Sequence, residues 1–414
     1  MPEGKKLLLS IFSSSARQAL GRRRRTASHG DLAISGTRRA IGFLAGFLLT
    51  LLVVTAGVSK LRELLPLEER DFQGEAYENA TVAERYVLAP ENKRTVIVGS
   101  SVAKGLPPEG FRPPDVATLF IPGSGAMTGL EIILRSVARP RVVLVEVDFA
   151  DRGVDDDLIS HVFDPATLVL RKAMPMFQEE NNLLNLLAKA SIPGRTTVAD
   201  RPSMTVAEWR KQIRSRIDYY VSGFSDPYEP DQKLLARLTT QVKELEAHGA
   251  RIVFFYDRLD PDIAAAPQIS KWRRAVQSAF PEHEFIPAAD SAVHLLDGIH
   301  FFRYAGIQYF EYLLGEANAE LDDGRIPGLL RVKQATFGGN CGGLQGNFTY
   351  TARRSCLGHR SCDIGVDRRI LEDRVAGCDK DLVVRGSCSP DATERVSTLA
   401  LVKAGDRLSL SCAS

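Results

Sequence analysis

Between residues 90 and 322, short apolar runs alternate with stretches of helical periodicity. Thr95–Val98, "ATLFIPG" (117–123), "RVVLVEVD" (141–148), "ARIVFFYD" (250–257) and "EFIPA" (284–288) read as strands. Helices are expected over 127–137, 231–249, 269–279 and 304–319; in 231–249 Leu and Val recur at helical spacing, and Gly249 supplies a C-terminal stop. The strands are apolar at consecutive positions, so both of their faces are buried. Separated by helices, such strands imply an α/β fold, a parallel sheet with helices on both faces. The ligand crevice of such a sheet lies outside the carboxyl ends of its strands. That places "GSS" (99–101) at the end of the first strand. Residues 150–230 are less regular, and "DRGVDDDL" (151–158) reads as a solvated acidic loop.

A different pattern stands at the N-terminus. "AIGFLAGFLLTLLVVTAGV" (40–58) is uncharged over 19 residues, long enough as a helix to span a bilayer core. Nine Lys/Arg and two acids precede it, which puts the N-terminus in the cytoplasm and the bulk of the chain in the periplasm or outside the cell. A cleaved signal is the rival, with "VTAG" (54–57) offering small residues for a peptidase. The expected organisation is a basic cytoplasmic tail (1–39), one transmembrane helix (40–58), a charged stalk (59–90), the α/β body (91–322) and a cysteine-rich module (328–414). The net charge of the whole chain is only +2, which argues against nucleic acid as a partner.

All six cysteines, Cys341, Cys356, Cys362, Cys378, Cys388 and Cys412, lie in that last module. An even number in one short segment of an exported chain reads as a disulfide framework. No Cys-x2-Cys pair supports zinc, and no metal or cofactor is expected. Six cysteines allow 15 pairings, and spacing does not choose among them. Short Val/Leu/Thr runs predict a small disulfide-rich β domain. Asn79-Ala80-Thr81 and Asn347-Phe348-Thr349 are glycosylation sequons.

A serine attacks well only when a base takes its proton and a third group orients that base. "HLLDGIHFFRYAG" (294–306) supplies both, Asp297 and His300, just before the last predicted helix. Gly99-Ser100-Ser101 after strand one, the glycine turn "IPGSG" (121–125) after strand two and Asp297-x-x-His300 occur in an order that resembles the SGNH (GDSL-type) hydrolase superfamily. The resemblance covers about residues 92–318. It implies a flavodoxin-like sheet, a nucleophile at Ser101, a base at His300 oriented by Asp297, and an oxyanion donor at Gly123. In the third block, where the family carries an oxyanion-binding Asn, this chain has Asp148. An ionised carboxylate accepts hydrogen bonds and donates none.

The segments "ATFGG" (335–339), "CLGHRSC" (356–362) and "EDRVAGCDKDLVVRGSC" (372–388) resemble the SUEL-type galactose- or rhamnose-binding lectin domain, with Phe337 in place of the usual Tyr. The resemblance implies sugar contacts at Asp373 and Lys380. Together the two resemblances predict a membrane-anchored acyl esterase or O-acetyltransferase acting on a cell-envelope or secreted polysaccharide. Its partners would be a glycan, the membrane and an acyl-donor membrane protein. The rival is a non-catalytic lectin or scaffold on a degenerate SGNH fold.

Overall fold

The computed structural model describes residues 46, 74–88, 93–103, 113–181, 206–222, 228–289, 295–301, 303–317, 329–356, 359–366, 378–388, 393–403 and 405–412. The chain divides into two units, Met1–Leu64 and Leu65–Ser414; the α/β body and the cysteine-rich module both belong to the second. Apart from Gly46, the expected anchor lies outside the described residues, among which no helix is long and apolar enough to cross a membrane.

Five parallel strands form the body: β1 (Thr95–Gly99), β2 (Val116–Phe120), β3 (Val142–Glu146), β4 (Arg251–Phe255) and β5 (Glu284–Ile286). They are ordered β2-β1-β3-β4-β5. β1 pairs with both β2 and β3, so the strand order reverses beside it. Ligand crevices of open α/β sheets form at such a reversal. The Gly99–Ser101 turn leaves the sheet at that point.

The period-2 geometry of a strand sends alternate residues to opposite faces. Val96, Val98, Val143, Val145, Ile252 and Phe254 face one layer, built by α1 (Gly74–Leu88), α2 (Ala126–Arg135), α6 (Gln232–Ala247) and α8 (Pro267–Ala279). Ile97, Leu144, Val253 and Phe255 face the other, where α9 (Arg303–Ala317) packs through Tyr309, Phe310, Leu313 and Leu314. Between α2 and α6 the chain forms α3 (Asp156–Val162), α4 (Pro165–Ala173) and α5 (Val206–Ser222), and α7 (Pro261–Ala265) follows β4.

Two expectations are corrected by the fold. The region assigned to a charged stalk contains α1, whose Ala80, Ala83, Tyr86 and Val87 lie in the core. Their helical spacing makes a narrow apolar stripe on an otherwise charged segment. The acidic run 151–158 is solvated at Asp156 and Asp157 but is not all loop: Asp155 caps α3, its carboxylate accepting the Leu158 N–H at 2.9 Å.

The C-terminal module pairs β6 (Arg331–Phe337), β8 (Leu382–Ser387) and β9 (Arg395–Leu399) in one antiparallel sheet. A second pair joins β7 (Ser361–Gly365) and β10 (Arg407–Ser411). It also contains a helix, α10 (Thr349–Cys356), which a purely β expectation missed. Disulfides join Cys341 to Cys378, Cys356 to Cys362 and Cys388 to Cys412. Leu344 and Tyr350 of the module enter the same core layer as α9. At this junction Thr351 Oγ and N–H donate to Glu311 at 3.0 and 3.2 Å, and Arg354 pairs with Asp115. Burial pushes the Glu311 carboxyl up to about 7, against the opposing pull of the Thr351 bonds.

Candidate active site at the carboxyl edge of the sheet

Ser100 and Ser101 have different environments. Ser100 is fully buried, and its hydroxyl donates to Glu146 Oε1 at 2.7 Å. Its N–H donates to Glu146 Oε2, and its oxygen accepts the Val102 N–H at 3.2 Å. Ser100 is therefore spent on holding the turn. Ser101 is half-buried, and neither its hydroxyl nor its N–H has a hydrogen-bond partner among the described residues. Of the two, only Ser101 has a hydroxyl available to react.

Gly99 is explained by the same contact. A Cβ there would collide with Glu146 Oε2 and lie 3.1 Å from the Ala103 Cβ. Only a glycine lets the carboxylate lie against the backbone and reach Ser100.

Asp297 and His300 sit on a closed loop. Leu295 bridges Phe301, the Leu296 N–H donates to the His300 carbonyl at 2.7 Å, and Gly298 turns the chain at φ 91°. Asp297 accepts the N–H groups of Ile299 and His300 at 3.3 and 2.9 Å, and His300 Nδ1–H at 2.9 Å. With Nδ1 carrying the proton, Nε2 is left as the basic nitrogen. Burial alone would raise the Asp297 carboxyl, but the His300 ring and the backbone donors outweigh it and hold it well below the usual carboxylate range. Arg216 of α5, which the sequence did not single out, donates from Nε to Asp297 Oδ2 at 3.1 Å.

Ser101 and His300 are not hydrogen bonded to each other. Their neighbours share one apolar cluster, in which Val102 and Ile299 pack with Phe149, Tyr220, Leu259 and Ile263. The Asp260 N–H ties the dyad loop to the end of β4 by donating to the Gly298 carbonyl at 2.8 Å.

Gly123 follows β2 with φ 78°, exposed, its N–H without an acceptor among the described residues. The Ile121 N–H donates to the Gly99 carbonyl at 2.8 Å, which binds this turn to the serine turn. Two unspent backbone N–H groups, of Gly123 and Ser101, thus belong to adjoining turns.

Asp148 does not fit the expected oxyanion role. It is 1% exposed, accepts the Asp257 N–H at 2.8 Å and forms a bidentate ion pair with Arg273 of α8, the second bond at 2.8 Å. Its oxygens accept from these groups and have no proton to donate. Behind it lie two more buried acids, Glu146 and Asp257.

Asp373 lies outside the described residues. Lys380 is only 9% exposed; its stem packs on Gly338, and its ammonium lies 6.0 Å from the Phe337 ring centroid. That is a packing role and leaves little of the side chain for a sugar. The sequon asparagines Asn79 and Asn347 are buried and donate to the Pro122 and Phe337 carbonyls, so neither amide is free for glycosylation. Elsewhere, Glu84, His161 and Glu179 converge, but Arg171 lies among them, 3.0 Å from Glu84 and 3.0 Å from His161 Nε2. A guanidinium already supplies the positive charge that a cation would bring.

No family model, curated protein or solved structure matches this chain. The arrangement itself defines a class: an open parallel α/β sheet with a serine turn and a carboxylate–imidazole loop at the carboxyl edge.

Proposed function

We propose that this chain is a membrane-anchored, extracytoplasmic serine acyl esterase or O-acetyltransferase of the SGNH type, acting on an esterified polysaccharide. The observation that carries the reading is the Asp297–His300 dyad, with Nε2 unspent among the described residues, on the sheet edge from which Ser101 also emerges. The β2-β1-β3-β4-β5 order is that of flavodoxin-like sheets, as the resemblance requires.

In this reading His300 Nε2 takes the Ser101 hydroxyl proton as Oγ attacks the acyl carbonyl carbon. The Gly123 and Ser101 N–H groups receive the resulting oxyanion. Collapse expels the alcohol, which takes the proton back from His300, and leaves an acyl-serine. Water or a sugar hydroxyl, deprotonated by His300, then attacks the acyl-serine and regenerates Ser101. Asp297 holds the imidazole in the Nδ1–H tautomer and stabilises the cation that forms in each half-reaction.

A second reading, a glycan-binding scaffold without activity, is favoured by Asp148, whose pairing with Arg273 leaves no side-chain donor at the family's Asn position. One oxyanion donor fewer costs about 10²–10³ in rate. The purified chain incubated with an acetylated polysaccharide, and separately with an activated acetyl ester plus the deacetylated glycan, decides between them. Release or transfer of acetate that is lost in His300→Ala supports the enzyme. Glycan binding with no acyl chemistry supports the scaffold.

A further inference from the structure

Ionisable side chains seldom occupy the interior of a parallel sheet without a partner for each charge. At the carboxyl ends of β3 and β4, Glu146, Asp148 and Asp257 are all buried, with exposures of 0, 1 and 0%. Arg273 is the cation paired with this group, and both of its bonds to carboxylate go to Asp148. Asp257 then presents a contradiction if it is ionised. Among the described residues, neither of its oxygens accepts a hydrogen bond from a donor, although the group is fully buried. The contradiction is removed when Asp257 carries a proton and shares it with Glu146, the buried carboxyl at the end of the adjacent strand β3. Glu146 then accepts three bonds, one from Asp257 and two from Ser100.

We propose that Ser100, Glu146 and Asp257 are positioning residues for the Ser101 turn, linked by one proton that the two buried carboxyls share. Glu146 grips Ser100 through both its N–H and its hydroxyl, and Ser100 in turn accepts the Val102 N–H. These bonds bracket Ser101 on both sides. The Gly99 backbone lies against Glu146, so the carboxylate, the glycine and the turn fit as one unit. The shared proton keeps two carboxylates from facing each other in a dry site, the same like-charge logic that makes paired catalytic carboxyls share a proton.

Burial drives both carboxyls upward, Glu146 to about 7 and Asp257 well above its ordinary value. The charged and titratable groups around the pair are Asp148 after β3, Arg273 of α8, Tyr256 after β4 and Tyr309 of α9. Asp148 adds repulsion, and Arg273 is spent on Asp148. Tyr309 donates its hydroxyl to the Tyr256 carbonyl and supplies no proton to the pair. Loss of the shared proton at high pH therefore leaves Glu146 and Asp257 in mutual repulsion, and the movement is passed to Ser100.

The effect on catalysis rests on the proposed acyl chemistry, so the test carries one readout that does not. The full chain, with Asp257→Asn and Glu146→Gln variants, is titrated from about pH 6 to about pH 10, a range spanning raised carboxyl values. The Ser100 and Val102 amide proton resonances are followed, together with the rate and pH profile of acylation by an activated acetyl ester. In the wild type both amides shift as the pair loses its shared proton above neutrality, and acylation falls with that loss. Asp257→Asn, whose amide donates to Glu146 without titrating, lacks the change in both readouts. Glu146→Gln loses an acceptor for Ser100, and the acylation rate drops about 10²-fold, the scale of a misplacement of order 1 Å, with KM little changed. Amides that do not titrate, or an Asp257→Asn variant that keeps the wild-type change, overturn the proposal even in an active enzyme. Absence of acylation in every variant counts against the enzymatic reading alone, and the amide titration still decides the positioning role.

Discussion

One face of the sheet is roofed by α1, α2, α6 and α8 from the body's own sequence. The other is roofed by α9 and by Leu344 and Tyr350 of the C-terminal module. The body contains no cysteine, whereas the module carries three disulfides in about 85 residues. A segment of that size buries too little surface to be comfortably stable alone. Here it gains stability from crosslinks and from the sheet it covers. The contrast teaches that the module is a wall of the α/β body as well as an appended domain.

Cutting into that wall gives the largest effects. Tyr350 is 1% exposed in the shared layer, so Tyr350→Ala is expected to cost about 3–5 kcal/mol, as for other large buried aromatics. Denaturant unfolding checks this, and the loss should extend to the body; confinement to the module would mark the two as independent. Next comes the Cys341–Cys378 crosslink, with a sequence separation of 37. A Cys341→Ser/Cys378→Ser chain is expected to lose about 3–4 kcal/mol under oxidising conditions on the chain-entropy account. Removal of Cys356–Cys362, separated by 6 residues, should cost less in the same assay.

Glu311 tests the seam by pH. Its folded-state value, about 7, lies above the unfolded one. Its contribution to stability is thus fully present below the unfolded value and is lost as pH rises to about 7. Glu311→Gln should remove this share of the decline, on the order of 3 kcal/mol between those limits, seen as a flatter pH–stability curve than the wild type's. The smallest effect belongs to Arg354→Ala. Its pair with Asp115 is 40% and 34% exposed, and such pairs contribute about 0–1 kcal/mol. A thermal-melt shift as large as that of Tyr350→Ala would reverse the ranking.

The five strands were legible because burial on both faces writes consecutive apolar residues into the sequence. Ser101, Asp297 and His300 were legible through their order along such strands. Glu146 and Asp257 stand in view within "RVVLVEVD" and "ARIVFFYD", at the ends of apolar runs where a charge is unexpected. Their pairing depends on β3 lying beside β4, which local spacing does not encode. Asp148 was found, but the Arg273 that occupies it lies 125 residues away on another helix. The α1 stripe was hidden by a charged face, and α10 by the expectation that a cysteine-rich segment is all β. The disulfide pairing required coordinates.

The central claim is that Ser101, and not its buried neighbour Ser100, forms the acyl intermediate. Rapid quenching of the full chain with an activated acetyl ester, followed by peptide mass mapping of residues 95–106, tests it directly. The account predicts one acetyl group on Ser101, absent in Ser101→Ala and strongly reduced in His300→Ala. An adduct on Ser100, or none under conditions where the chain turns over the ester, would contradict it.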